Sequence, residues 1–224
     1  MAVRKRACVV PEAPRPAAAE APRFYLITPP LSVPDDRPVL PAGALAACGV
    51  ACVLVRMASA RDAGNEHIFQ PLARPLQERG IACLVAEDPQ FCLRVNADGV
   101  HLTFDGPRLN QALRVLKPDF IVGAGGLRTR HDAMLAAEAG ADYVMFGETG
   151  MPQSAIAEQI AWWAENVTVP CAGYASGLDS IGPLVSAGAD FIALGSAVFC
   201  DPRGAETALR EAASLLKPAR HAAR

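Results

Sequence analysis

Eight short apolar runs alternate with longer amphipathic segments along this chain, and that alternation constrains the fold more than any other feature of the sequence. Most of the runs are continuously apolar, as in parallel strands that are buried on both faces. Eight strand-then-helix units predict an α/β fold, a closed (β/α)8 TIM barrel, with an open doubly wound sheet as the alternative. The predicted strands are Phe24–Thr28, Ala51–Arg56, Ala82–Glu87, Gly99–Leu102, Phe120–Ala124, Tyr143–Phe146, Cys171–Tyr174 and Phe191–Leu194.

An internal repeat favours the barrel over the open sheet. Ala139–Gly147 resembles Ala187–Gly195, and Ala97–Val100 is a weaker third copy. Each copy contains an Asp directly before a strand, and the two long copies have a glycine at the end of that strand. Repeated units of this kind are expected of a barrel built from similar quarters, although shared geometry of two turns would produce the same pattern.

Helical patterns occupy the segments between the strands. Asn65–Arg79 carries apolar residues at helical spacing, and Arg130–Ala139 stops at Gly140, as a helix with a C′ glycine does. Ser154 is the predicted cap of the helix after the sixth strand. Gly204–Lys217 is the predicted last helix.

The chain is predicted to consist of a tail and one barrel. Its 224 residues fit a single α/β barrel, for which roughly 200–250 residues are usual. We assign residues 23–224 to the barrel. Residues 1–22 begin with basic residues and continue rich in Pro, Ala and Glu, which predicts a disordered tail. A signal peptide is disfavoured because no apolar stretch follows the basic residues.

Charge and cysteine content exclude several classes of partner. The net charge is −2 and the basic residues form no stripe, which argues against nucleic acid and anionic membranes. No apolar run reaches the ~18 residues of a membrane span. The seven cysteines lack metal or redox spacing, and most lie in apolar runs, as Cys52 and Cys83 do. These features predict reduced thiols in a cytoplasmic protein and leave a homo-oligomer open.

The loops after the last two strands carry the strongest signal for a ligand. Function in a barrel collects at the carboxyl ends of the strands, where phosphate is often bound after strands seven and eight. Ser176, Gly177, Gly195 and Ser196 stand at those positions and are the predicted phosphate-binding residues. The alternative is that these glycines only serve tight turns with positive φ. Gly123–Gly126 is a weaker candidate for an anion-binding loop.

Charged residues follow the second, third and fourth strands. Glu87 and Asp105 are the candidate ligands of Mg²⁺, which takes one or two carboxylates plus substrate phosphates. The alternative is that Asp88 caps the next helix while Glu87 pairs with Arg56. Arg56 closes an apolar strand, so it is either a carboxylate-paired barrel residue or a phosphate ligand. His101 is either a satisfied core residue or a catalytic one.

Four stretches together resemble the thiamine phosphate synthase family, which also includes thiazole tautomerases. The resemblance runs from Phe24 to the last helix. It implies a (β/α)8 barrel that joins hydroxymethylpyrimidine diphosphate to thiazole phosphate, releasing pyrophosphate with Mg²⁺ present. The stretches that carry it are Tyr25–Thr28, Ala97–Leu102, Ala139–Gly147 and Ala187–Ser196.

The substrate motifs of that family are largely changed. Of the Gln-x-Arg-x-Lys motif, Leu54–Ala58 keeps only Arg56, and the Asn-Asp pair after the third strand is Ala86-Glu87. Asp105 stands one residue before the family's acidic metal ligand. Gly147–Met151 replaces a Pro-Thr-x-Thr-Lys segment. Gly125–Arg128 has no counterpart of the tautomerase histidine.

These differences leave three hypotheses. As a synthase, the chain would use Arg56 on pyrophosphate, Glu87 with Asp105 on Mg²⁺, and the phosphate residues on thiazole phosphate. Because departing pyrophosphate gains negative charge, loss of the lysine weakens such a site unless another arginine replaces it. The alternatives are a non-catalytic, phosphate-ligand-binding or regulatory barrel and a different phosphate-handling barrel enzyme such as an isomerase. The candidate replacement arginines are Arg61, Arg128 and Arg130.

Overall fold

Eight parallel strands close into a barrel in the computed structural model, which describes residues 21–34, 38, 41–59 and 64–216. Each strand pairs with its neighbours in sequence, and β8 pairs with β1. This closed order confirms the predicted (β/α)8 barrel and excludes the open sheet. The strands are β1 (Arg23–Ile27), β2 (Val50–Val55), β3 (Ala82–Ala86), β4 (Gly99–Thr103), β5 (Ile121–Gly125), β6 (Tyr143–Phe146), β7 (Cys171–Ala175) and β8 (Phe191–Leu194).

A helix follows every strand, and two follow β8. The 3-10 turn Leu178–Ser180 precedes the helix after β7. None of the helices that the structure describes has the length and apolar character of a membrane span. These helices are α1 (Ala42–Ala47), α2 (Asn65–Gln77), α3 (Pro89–Val95), α4 (Gly106–Leu116), α5 (Arg130–Ala139), α6 (Gln153–Asn166), α7 (Ile181–Ser186), α8 (Ser196–Phe199) and α9 (Ala205–Leu215).

Capping residues explain where α5 lies and correct the prediction for α6. Thr129 and Asp132 form a capping box at the start of α5, and Gly140, at φ 103°, ends that helix as predicted. The predicted cap at Ser154 is wrong, because Pro152 holds the cap position and Ser154 lies in the first turn of α6. Proline fits this place because the first helical N–H groups need no intrahelical partner.

The aspartates of the internal repeat make the same contact three times. Each precedes an even-numbered strand and bridges to the strand before it, which confirms the repeat as a structural unit. Both the side chain and the backbone N–H take part, so each aspartate joins two strands at the amino end of the barrel. The carboxylates of Asp98, Asp142 and Asp190 accept the N–H of Cys83, Val122 and Cys171, each at 2.7 Å, and their own N–H groups donate back to those residues' carbonyls.

Large side chains fill the barrel interior where the adjacent strand has glycine. A Cβ on Gly123 would lie 2.0 Å from the ring of Tyr143, and one on Gly125 would lie 2.5 Å from Nε2 of His101. Such distances are far inside van der Waals contact, so both positions exclude a side chain. Packing therefore explains Gly123 and Gly125, which lie within β5 rather than after it.

The cysteines follow the sequence prediction in most cases. Within the described part of the chain all are free thiols; Cys52, Cys83, Cys92 and Cys171 are buried, and Cys200 is exposed. Burial raises the pKa of the Cys92 thiol to about 12, with Asp98 adding to the effect, so this group stays protonated. Several predictions fall on residues outside the described ranges: the tail up to residue 20, the roles of Cys8 and Arg61, and the end of the last helix and of the barrel beyond residue 216.

The aspartate bridges predict a stability difference between removing the carboxylate and replacing it by an amide of the same shape. Asp142→Ala leaves the buried N–H of Val122 without its side-chain acceptor, which costs about 1–3 kcal/mol of the free energy of unfolding. Asp142→Asn keeps an acceptor oxygen and costs less. Urea unfolding measures both, with exposed Asp119→Ala as the control. Equal stability of Asp142→Ala and wild type would contradict the bridging role.

Candidate active site

The strands deliver the predicted site residues to one face of the barrel. Arg56 follows β2, Glu87 follows β3, Ser176 follows β7 and Gly195 follows β8. In a closed eight-stranded barrel, β3 and β4 stand across the mouth from β7 and β8. The candidate site therefore has two sides: a glycine-containing side after β7 and β8, and a charged side after β2, β3 and β4.

The loops after β7 and β8 start side by side. Ala175 pairs with Leu194, so Ser176 and Gly195 are the next residues at the same level of the barrel. Gly177 has φ −150° and Gly195 has φ −119°, so neither takes the positive φ that the tight-turn alternative requires. A Cβ on Gly195 would meet other atoms only at 3.6 Å or more. Packing does not demand glycine there, and Gly195 is buried while its neighbours Ser176 and Ser196 are exposed.

A short helix begins in this region. Gly195 is the cap of α8, and Ser196, its first residue, is exposed. The first N–H groups of any helix lack intrahelical partners and can donate to an anion. One feature opposes an anion here: Asp179 lies beside the loop, with Oδ1 2.6 Å from where a Cβ of Gly177 would stand.

Arg56 is oriented by the end of β1. Its Nε donates to the carbonyl of Thr28 at 2.8 Å, and its backbone N–H donates to Thr28 Oγ1 at 3.1 Å. Thr28 is fully buried, whereas the Arg56 side chain is exposed at the mouth. The sequence left Arg56 as either a carboxylate-paired residue or a phosphate ligand. Among the described residues no carboxylate pairs with it, and its two outer guanidinium nitrogens remain for a ligand.

The candidate metal ligands are engaged in other contacts. Glu87 Oε1 accepts two bonds from Thr103, from N–H at 2.7 Å and Oγ1 at 2.6 Å, while Oε2 pairs with Arg108 Nη1 at 2.8 Å. Asp105 caps α4, accepting the N–H of Arg108 at 2.9 Å. Within the described ranges no three Asp, Glu, His or Cys side chains cluster as metal ligands would. Both candidate ligands contact Arg108, Glu87 through the guanidinium and Asp105 through the backbone N–H, and Glu87 pairs with Arg108 rather than Arg56.

Asp88, next to Glu87, caps α3 as the sequence alternative predicted. Its Oδ1 accepts the N–H of Phe91 at 2.9 Å. Neighbouring acidic residues therefore have different tasks, because Asp88 turns toward the helix start and Glu87 turns toward the strand-four loop.

His101 lies at the inner end of a chain of hydrogen bonds below the mouth. Its Nδ1 is 2.8 Å from Tyr143 Oη, and Tyr143 Oη is 2.9 Å from Tyr25 Oη. Burial lowers the pKa of His101 to about 4, and the negative charge of Glu87 opposes that shift only in part. The imidazole is neutral at physiological pH, and its Nε2 lies toward Gly125 at the carboxyl end of β5.

No lysine occupies the charged side among the described residues. The chain has Lys5, Lys117 and Lys217, and only Lys117 lies in the described ranges, where it pairs with Asp142 at the amino end of the barrel. No other lysine among the described residues therefore replaces the lysine of the synthase motif.

The loop after β6 is held by a different contact, in which Thr149 Oγ1 lies 3.1 Å from Tyr174 Oη.

The candidate replacement arginines differ in their contacts. The guanidinium of Arg130, the first residue of α5, lies 4.7 Å from the ring centre of Trp162 in α6. This cation–π contact holds the Arg130 side chain against α6. Arg128 is exposed, and its backbone N–H donates to Asp132. Sequence reasoning missed Arg108, which the structure places on the charged side. Its position three residues after the cap Asp105, in the first turn of α4, was the available signal.

The chain is similar to known proteins over most of its length. A family model described as thiamine monophosphate synthase matches residues 24–198. The thiamine-phosphate synthase of Rhodospirillum centenum is 38% identical over 199 residues, covering 84% of this chain and 95% of the relative. That of Hyphomonas neptunium is 33% identical, covering 88% and 93%.

Solved structures show the same barrel. Thiamine phosphate pyrophosphorylase from Pyrococcus furiosus superimposes with a TM-score of 0.70 at 24% identity, over 87% of this chain and 95% of the other. A 3-hexulose-6-phosphate synthase superimposes with a TM-score of 0.67 at 13% identity, over 86% and 99%. These two likenesses concern the fold alone. On the family match and the identity to two full-length relatives, the chain belongs to the thiamine monophosphate synthase family.

Proposed function

We propose that this protein is a thiamine phosphate synthase, joining hydroxymethylpyrimidine diphosphate to thiazole phosphate with release of pyrophosphate. The observation that carries the proposal is the two-sided mouth. A glycine-containing side, on which Ser176 and Ser196 are exposed, faces a side that bears arginines, and a reaction between two phosphorylated substrates requires two anion-binding regions. The family resemblance implies the chemistry of those substrates, and two relatives are named thiamine-phosphate synthase.

Thiazole phosphate is assigned to the side after β7 and β8. Backbone N–H groups of Gly177, Gly195 and Ser196 are available to phosphate oxygens, and Ser176 offers a hydroxyl. The buried, side-chain-free Gly195 lets the phosphate approach the start of α8 closely. The carboxylate of Asp179 limits the affinity, because it lies beside the same loop.

The diphosphate is assigned to the charged side. As the bond between the pyrimidine methylene and the diphosphate breaks, negative charge grows on the departing pyrophosphate, and the guanidinium of Arg56 stabilises it. Arg56 is held by Thr28 in a fixed orientation, so its contribution requires no reorganisation during the reaction. His101, neutral and below the mouth, is placed to contact the uncharged part of a substrate rather than a phosphate.

A second candidate function is binding without this chemistry. The absence of a lysine from the charged side among the described residues favours it, because one cation fewer stabilises the leaving group. Turnover separates the two functions, since a binding protein gives a ligand-induced rise in melting temperature without product.

Arg56→Ala tests the synthase activity. The purified protein, given both phosphorylated substrates, is expected to form thiamine phosphate, and the substitution lowers kcat/KM by about 100-fold, as removal of a charge-stabilising donor does. Exposed Arg79, at the end of α2 and the opposite end of the barrel, supplies the control Arg79→Ala. Wild-type protein without turnover, yet stabilised by thiazole phosphate, would instead support the binding function.

Ser196→Asp tests the phosphate assignment. A carboxylate at the exposed first residue of α8 repels the ligand's phosphate, so thiazole phosphate should bind about tenfold more weakly or worse. Calorimetric titration measures the affinity. Ser214→Asp, on the exposed side of α9, makes the same chemical change away from the mouth. The assignment is wrong if both variants bind thiazole phosphate as the wild type does.

The pKa of His101 predicts how stability depends on pH. The folded value of about 4 lies below the ordinary 6.5, so between these pH values the unfolded chain binds more protons. The free energy of unfolding therefore falls as pH drops from 6.5 to 4, by about 2 kcal/mol after allowance for partial exposure. His101→Gln removes this component.

Two measurements check the His101 prediction. Imidazole resonances followed by NMR give the pKa directly, and urea unfolding of wild type and His101→Gln across the same pH range gives the stability difference. An imidazole that titrates near 6.5 would show that the ring is solvated and not held by Tyr143.

A further inference from the structure

The charged side of the mouth is built around Arg108 rather than around a metal position. The guanidinium contacts Glu87 twice, as an ion pair between Nη1 and Oε2 at 2.8 Å and as a hydrogen bond from Nη2 to the backbone carbonyl at 2.6 Å. The backbone N–H of the same arginine bonds Asp105 at 2.9 Å. Both carboxylates that the family resemblance assigns to Mg²⁺ thus converge on one residue, which already supplies a positive charge there.

Glu87 is held in a conformation that serves this contact. Its φ of 66° lies in the left-handed region, which costs about 1 kcal/mol or more for a residue other than glycine. Its N–H donates to the carbonyl of His101 at 2.9 Å, and its carboxylate takes both bonds from Thr103. These bonds fix the residue so that its carbonyl and its carboxylate both reach Arg108. A backbone conformation maintained at this cost indicates a built site.

Arg108 has donors left after these contacts. A guanidinium carries five N–H groups in a plane, and two of its nitrogens are engaged with Glu87. The side chain is 47% exposed at the mouth. Its remaining N–H groups have the fork geometry that matches phosphate oxygens. Glu87, Asp105 and Arg108 together carry a net charge of −1, so the arginine neutralises one of the two carboxylates without a metal.

We propose that Arg108 takes the place of the divalent cation, so that Arg56 and Arg108 bind a diphosphate without metal. The two arginines flank Glu87, one after β2 and the other at the start of α4. The inference rests on the proposed function in one respect, since the diphosphate is the group that this function brings to the charged side. Under this inference, unlike the Mg²⁺ expectation, the protein binds the diphosphate without a metal ion.

Inorganic pyrophosphate is the probe, titrated calorimetrically into the full-length protein. We expect binding in the presence of EDTA, with a Kd that changes by less than about threefold when EDTA is replaced by excess Mg²⁺. Pyrophosphate binding that occurs only with Mg²⁺, or no binding in either condition, overturns the inference.

Arg108→Ala should weaken pyrophosphate binding in EDTA by about tenfold or more, the loss expected for one charge-assisted contact. Arg108→Lys keeps the charge but cannot span Glu87 and a phosphate at once, so it should restore the affinity only in part. Arg114→Ala, exposed on the same helix near its other end, is the matched control. A lowered melting temperature of Arg108→Ala with unchanged affinity would show a purely structural role and overturn the inference.

Glu87→Gln distinguishes the arginine site from a metal site. If Glu87 were a metal ligand, this change would abolish Mg²⁺-dependent binding. If Arg108 replaces the cation, removing a nearby negative charge leaves pyrophosphate affinity in EDTA unchanged or higher. Lower affinity in EDTA for Glu87→Gln would overturn the inference.

The outcomes separate this inference from the proposed function. Pyrophosphate binding in EDTA together with no formation of thiamine phosphate overturns the synthase function and supports the arginine site. Formation of thiamine phosphate together with pyrophosphate binding that needs Mg²⁺ supports the synthase function and overturns the arginine site.

Discussion

The bond between an aspartate carboxylate and a strand N–H at the amino end of the barrel is the contact on which the remaining architecture depends. It recurs at Asp98, Asp142 and Asp190, and each time it ties an even-numbered strand to the one before it. Charge-assisted bonds to buried N–H groups are stronger than neutral ones, so the pairing of these strands is fixed at that end. With register set at the amino end, the loops at the carboxyl end can vary without loss of the fold.

Between the amino end of the barrel and the site, side-chain packing fixes the interior. Gly123 and Gly125 make room for Tyr143 and His101, so two of the largest inward side chains stack in space that β5 leaves empty. Tyr143 also lies within hydrogen-bond distance of Tyr25, so these polar groups inside the barrel are paired with one another. Burial lowers the pKa of His101 to about 4 and keeps the imidazole uncharged. The barrel interior below the strand ends, formed here by His101, Tyr143 and Tyr25, is consequently neutral. The charged side chains of the site lie in the loops around it.

The sequence predicted the framework well because its signals are local. Continuous apolar runs, helix caps and the repeated aspartate each act within a few residues or between adjacent strands, and the eight strands follow. The site was predictable only as positions at strand ends. That Glu87 turns to Arg108 and not to Arg56 depends on a positive φ at a glutamate, which no sequence pattern indicates. The error at Ser154 has a simpler cause, since a preceding proline competes for the same cap.

The changed motifs of this chain are best understood as a change in how positive charge is supplied. A family site that relies on a lysine and a metal ion needs carboxylates free to bind that ion, and here Glu87 and Asp105 are both taken by Arg108. Replacing a solvated divalent ion by a side chain removes the dependence on metal concentration, but it also fixes the charge permanently within the fold. A substitution of this kind is tolerated because the aspartate bridges at the opposite end, and not the mouth, maintain the barrel. The family framework and the altered charged side are therefore compatible in one chain.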